Sequence, residues 1–163
     1  MEHTDDIISL AVNENSRFKN IVATGQIGKK PVIHIWDAIT KQTQSILSGL
    51  YDKSQGICSL GFSSSGKLLV SVGLDANFTV GVWRWKEGSL AASAHGDSQP
   101  NRIFRACFRP DSDTVFVSVG FKHVKFWSLA GAELIKRKAV LTDWDSTGVK
   151  LKKMPTMLSV GFG

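Results

Sequence analysis

Residues 117–127 read VSVGFKHVKFW, and residues 70–83 read VSVGLDANFTVGVW. Both run from a small-and-apolar alternation through a glycine to an apolar stretch that closes on tryptophan. A third copy, VATGQIGKKPVIHIW, occupies residues 22–36. Trp36, Trp83 and Trp127 are 47 and 44 residues apart, and Gly25, Gly73 and Gly120 are 48 and 47 apart. A period near 45 residues belongs to propeller repeats when the units are strands, and to solenoids when they are helical.

The units are strands. Upstream of each glycine the apolar residues alternate: Ile8, Leu10, Val12; Cys58, Leu60, Phe62; Phe104, Ala106, Phe108. A period of two, bounded by Gly, Ser, Asn, Asp and Pro, is the pattern of a half-buried strand. The same strand recurs as TMLSVGF, residues 156–162. Four strands are predicted per unit, near 7–12, 20–25, 31–36 and 42–47 in the first. The second gives 57–62, 67–72, 78–85 and 89–94, and the third 102–108, 114–119, 121–127 and 133–139. The turns SSSG (63–66) and RPDSD (109–113) carry the residues that hairpins need.

The fold class is therefore all-β: an incomplete β-propeller of three four-stranded antiparallel blades plus the first strand of a fourth. Blade one is expected over 1–50, blade two over 51–97 and blade three over 98–139. A basic connection follows over 140–155, and the first strand of a truncated fourth blade over 156–163. Three blades and one strand cannot close a ring, so the arc is expected to need missing blades or self-association.

The 163 residues hold 20 Lys+Arg against 14 Asp+Glu, a formal charge of +6. Residues 1–121 carry 12 basic and 11 acidic side chains, whereas residues 122–163 carry 8 and 3. The excess centres on Lys136, Arg137, Lys138, Lys150, Lys152 and Lys153, a candidate basic interaction surface for an acidic protein face or nucleic acid. No aromatic residue interleaves these lysines in the way a single-strand stacking platform needs, which disfavours single-strand nucleic-acid binding. A solvated outer strand followed by a linker explains the same run without a partner. The two cysteines make no disulfide framework, and the acidic start MEHTDDIISLAV does not read as a secretory leader. A cytoplasmic location is expected, with no membrane contact.

The residues carry a resemblance. His3 near the start of the first unit and Trp36-Asp37 at its end form a degenerate WD-repeat signature, with Trp83-Arg84 and Trp127-Ser128 drifting further. Asp75 stands in the turn where WD repeats often carry a buried aspartate. The matching turns of the other two units have none, so that hydrogen-bonding device is expected to be mostly missing. HTDDIISL (3–10), GKLLVSVGLD (66–75), VWRWKEG (82–88), FRPDSDTVFVSVGFKHVKFWSLAG (108–131) and MLSVGFG (157–163) resemble the echinoderm microtubule-associated protein-like family. That resemblance implies a segment of a propeller array that associates with tubulin and microtubules on the cytoskeleton.

Other candidates fail on chemistry. Gly61 to Lys67 fits seven positions of a phosphate loop, but Leu68 replaces the Mg²⁺-ligating hydroxyl and a strand follows instead of a helix. The histidines His3, His34, His95 and His123 lack metal-ligand spacing, and Cys58 and Cys107 are not equivalent in the repeat. No serine sits in a nucleophile elbow and no carboxylate pair is placed for acid–base work, so no cofactor, metal or enzymatic activity is expected. Trp36, Trp83 and Trp127 are expected to pack between blades. Trp85, beside Arg84 and Lys86, suits either an interface or inter-blade packing, with the second preferred. Two further function classes stay open: a generic propeller scaffold for other proteins, and nucleic-acid binding through the basic terminal third.

Overall fold

The computed structural model describes residues 6–138. Lys150, Lys152, Lys153, Trp144, His3, the basic connection and the expected fourth-blade strand lie outside the described residues. Among the described residues, twelve strands are joined by turns and connections. Blade one comprises β1 (Ile7–Val12), β2 (Ile21–Gln26), β3 (Ile33–Asp37) and β4 (Thr43–Leu47). Blade two comprises β5 (Ile57–Phe62), β6 (Leu68–Gly73), β7 (Val80–Arg84) and β8 (Ser89–Ala94). Blade three comprises β9 (Ile103–Phe108), β10 (Val115–Gly120), β11 (His123–Ala130) and β12 (Glu133–Lys138). Each blade is an antiparallel meander in sequence order, and the three form consecutive blades of an incomplete β-propeller. No helix among the described residues is long and apolar enough to cross a membrane.

The repeat is visible in the register. Trp36 lies opposite Val22, Trp83 opposite Leu69 and Trp127 opposite Phe116. Those partners are 47 residues apart each time, so each tryptophan occupies the same lattice point of its blade. The inner strands β1, β5 and β9 run side by side. They are stitched by hydroxyls: Ser9 Oγ donates to the Ile57 carbonyl at 2.7 Å, and the Ala106 N–H donates to Ser59 Oγ at 3.0 Å.

Two apolar cores fill the spaces between blades. Ile33, Ile35 and Leu47 of blade one meet Ile57, Leu69, Trp83 and Trp85 of blade two. Val70, Val72, Val80 and Val82 of blade two meet Ile103, Phe108, Phe116 and Trp127 of blade three. Both faces of β6 and β7 are thus buried, which is why their sequences are nearly continuous apolar runs. Full burial of one such aliphatic side chain is worth about 1.5–3 kcal/mol, so these two cores dominate stability.

The repeat glycines have a steric origin. A Cβ on Gly120 would overlap the Arg102 carbonyl oxygen, and one on Gly73 would lie 2.5 Å from the Tyr51 ring. At Gly25 it would collide with Ser9 Oγ. In every blade the second strand ends where the connection entering that blade, or its first strand, crosses it. Only glycine leaves room.

Blade one differs on its outward face. Leu10 and Val12 are 62% and 55% exposed, and Trp36 is only partly buried, because no described residue stacks against that side. Trp83 and Trp127 are buried in the two cores. Trp36 instead stands on the blade's open face.

Candidate interaction surfaces

A hydroxyl two residues beyond each tryptophan's partner receives the indole N–H. These are Thr24, Ser71 and Ser118, at 3.3, 2.8 and 2.8 Å from Trp36, Trp83 and Trp127. In blade three the chain of bonds continues to the connection from blade two. Ser118 Oγ lies 2.6 Å from His123 Nε2, and His123 Nδ1 lies 2.6 Å from Asp97 Oδ2. Since Trp127 donates to Ser118, the hydroxyl hydrogen goes to Nε2 and the ring's own proton sits on Nδ1, facing the carboxylate. A neutral imidazole satisfies every group.

Electrostatics agree with a neutral ring. Burial holds the His123 ring below its ordinary value, opposed by the Asp97 hydrogen bond. Burial alone would raise the Asp97 carboxyl, but bonds from His123 and the Ser98 N–H, with the Lys125 ammonium nearby, hold it lower. The contact is thus a hydrogen bond between a neutral ring and a carboxylate rather than an ion pair.

The order serine, histidine, carboxylate is that of a hydrolase triad. Here it cannot attack a substrate: Ser118 is fully buried and its oxygen is held by Trp127. The network is structural. It also corrects the expectation that blade three lacks the aspartate device. The acid is present as Asp97, supplied by the connection from blade two, while the start of β11 supplies His123.

Blade two solves the problem differently. The Tyr51 hydroxyl, from the connection preceding β5, lies 2.7 Å from Ser71 Oγ and 3.2 Å from the Thr79 carbonyl. Burial pushes this phenol far above its ordinary value, so it stays neutral. Asp75 caps its own turn, accepting from the Asn77 and Thr79 N–H groups at 2.9 and 3.1 Å.

The phosphate-loop look-alike is closed to anions. The N–H groups of Ser64, Ser65, Gly66 and Lys67 go to Ser112, Asp113, Ser63 and Ser65 respectively. Trp85 packs edge-on against Phe18 and Phe62 and donates its indole N–H to the Gly66 carbonyl at 2.7 Å. It joins blade one to blade two and is not a surface aromatic. Burial pushes the Cys58 thiol up to about 12 and raises Cys107 as well, so neither is an activated thiolate. No group of three or more His, Cys, Asp or Glu among the described residues could hold a metal.

The basic outer strand is partly engaged internally. Lys136 Nζ donates to the His95 carbonyl at 2.8 Å and sits 5.6 Å over the Trp127 ring. Arg137 lies 5.6 Å over Phe126, and Lys138 closes β12. Along the inner strands an open groove of about 760 Å³ runs past Leu10, Val12, Glu14, Phe62, Arg105 and Arg109.

Residues 1–163 match the family described as the echinoderm microtubule-associated protein first beta-propeller. The chain belongs to that family. It is 29% identical to the 77 kDa echinoderm microtubule-associated protein of Lytechinus variegatus, across 99% of this chain and 24% of that protein. It is 31% identical to human echinoderm microtubule-associated protein-like 2, across 85% of this chain and 22% of the relative. The chain thus spans about a quarter of the curated relatives' length. The Myceliophteria thermophila Cps50 (Swd1) β-propeller domain superposes with a TM-score of 0.66 at 17% identity, covering 85% of this chain and 39% of that one, which shows the shared fold.

Proposed function

We propose that this chain is a non-enzymatic protein-interaction segment of a microtubule-associated propeller, with tubulin or the microtubule as its partner and the cytoplasmic cytoskeleton as its setting. The observation that carries the reading is the match of all 163 residues to the first propeller of a family whose members are named for microtubule association. Physical features support it. Ser118 and His123, the nucleophile and base of the catalytic order, are buried, and the formal charge is +6. A basic surface is drawn to an acidic one by long-range attraction that salt weakens.

Cosedimentation of the whole chain with microtubules, at low and raised salt, tests this. Pelleting that diminishes with salt is the expected result. Absence of pelleting, together with absence of binding to unpolymerised tubulin, would remove the cytoskeletal role and leave a generic propeller scaffold.

A further inference from the structure

Three lysines converge on one end of the propeller arc, although the sequence keeps two of them far from the third. Lys29 and Lys30 stand in the loop between β2 and β3; Lys53 stands in the connection between blades one and two. The three line a shallow cavity of about 530 Å³, together with Ile27, Asp52 and Gln55. All three are exposed, and no carboxylate pairs with any of them among the described residues. Ile27, 37% exposed, adds an apolar patch to the cavity wall.

Backbone contacts tie the two loops together. The Ile27 N–H donates to the Asp6 carbonyl and the Gly28 N–H to the Gln55 carbonyl, both at 2.8 Å. Ile27 also bridges to Gly56. Lys30 adopts a φ of +49° directly before Pro31, a left-handed backbone that a lysine reaches only at a cost of roughly 1–2 kcal/mol. Three ammonium groups are thus gathered around the one carboxylate of the lining, Asp52, which pairs with none of them, so the cavity is net positive. A net positive, solvent-open cavity of this kind attracts an anionic partner.

We infer that the Lys29–Lys30–Lys53 cavity docks an acidic, extended peptide segment of a partner protein, with one apolar side chain set against Ile27. Three flexible ammonium groups around an open cavity match carboxylates spaced along a strand. They lack the aromatic platforms that nucleobases use. The proposal goes beyond tubulin association and does not require tubulin as the partner.

The test is fluorescence anisotropy with a labelled glutamate-rich peptide containing one leucine, added to the full chain. Binding is expected, and the pair Lys29→Glu and Lys53→Glu should weaken it by about tenfold or more. The pair Lys19→Glu and Lys41→Glu changes charge equally at the other end of blade one and should leave it within about twofold. A Lys29→Gln and Lys53→Gln pair, checked by its urea midpoint, provides the reading if charge reversal disturbs folding. Absence of binding, equal weakening by both charge-reversal pairs, or equally strong competition by a single-stranded oligonucleotide would each overturn the proposal.

Discussion

His123 Nδ1 and Asp97 Oδ2 meet at 2.6 Å across the junction of blades two and three, with the histidine side chain wholly buried. One partner opens β11 of blade three and the other belongs to the chain entering that blade. Their bond therefore ties the connection to the sheet it leads into.

That geometry fixes a pH dependence. The ring's folded value lies below its ordinary 6.5, so below that pH the unfolded chain binds more protons than the folded one. Stability from this group is present above 6.5 and lost as pH falls toward the folded value. The Asp97 carboxyl, also held low, adds a loss at still lower pH. Lys125 and Lys136 face the same ring and further oppose its charging. Urea midpoints measured from about pH 8 to about pH 5 should fall, with this site contributing at most about 1.4 kcal/mol per pH unit. His123→Gln should flatten that slope.

Ser118 bridges two groups, donating to His123 and accepting from Trp127. Ser118→Ala leaves a buried indole N–H and an imidazole nitrogen without partners, for a loss of about 2–3 kcal/mol. Chemical denaturation of the variant, of Trp127→Phe and of the double variant should show non-additivity of at least about 0.5 kcal/mol. Strict additivity would mean that the two side chains act independently.

Two glycines separate steric from conformational constraint. Gly120→Ala drives a methyl into the Arg102 carbonyl, so a loss above about 3 kcal/mol or failure to fold is expected. Gly88 has a φ of +70°, and a methyl added there would meet nothing within 4 Å, so Gly88→Ala should lose only about 1 kcal/mol. Thermal melts of the pair check the ranking.

Trp85→Ala removes the edge-on contacts with Phe18 and Phe62 and the bond to Gly66, with an expected loss of about 3–5 kcal/mol. Trp85→Phe keeps much of the packing and loses the N–H, so about 1–2 kcal/mol is expected. A surface aromatic would show neither loss, and urea titration distinguishes the cases.

The open face of blade one makes a prediction about association. Leu10→Thr removes apolar surface that is 62% exposed, so stability should change by less than about 0.5 kcal/mol. Concentration-dependent association measured by light scattering should diminish in the same variant. A face that buried no apolar surface between copies would leave association unchanged.

The strands are readable because a sheet with one or two buried faces prints its period directly into the chain. The starts and ends inferred from alternation lie within about two residues of most of those in the structure. The polar network is hidden. Trp36 and Trp83 stand 12 residues after Thr24 and Ser71, but Trp127 stands only 9 after Ser118, because the third blade's turn is shorter. Spacing therefore conceals a contact that register makes constant. The partners Tyr51 and Asp97 come from connections, where no period marks them.

Charge is hidden in the opposite way. The terminal run is conspicuous because its lysines are adjacent in sequence, yet Lys136 is turned back to the His95 carbonyl. Lys29, Lys30 and Lys53 lie in a stretch of nearly balanced charge and become a cluster only when two loops meet.

The order of amino acids suffices for the blade count, the strands and the recurring glycines, because each leaves a local period in the chain. Which polar groups satisfy one another, and which charges stand together, is settled only when the blades pack. Hydrogen bonds and Coulomb attraction act over a few ångströms of space, whatever the distance along the chain.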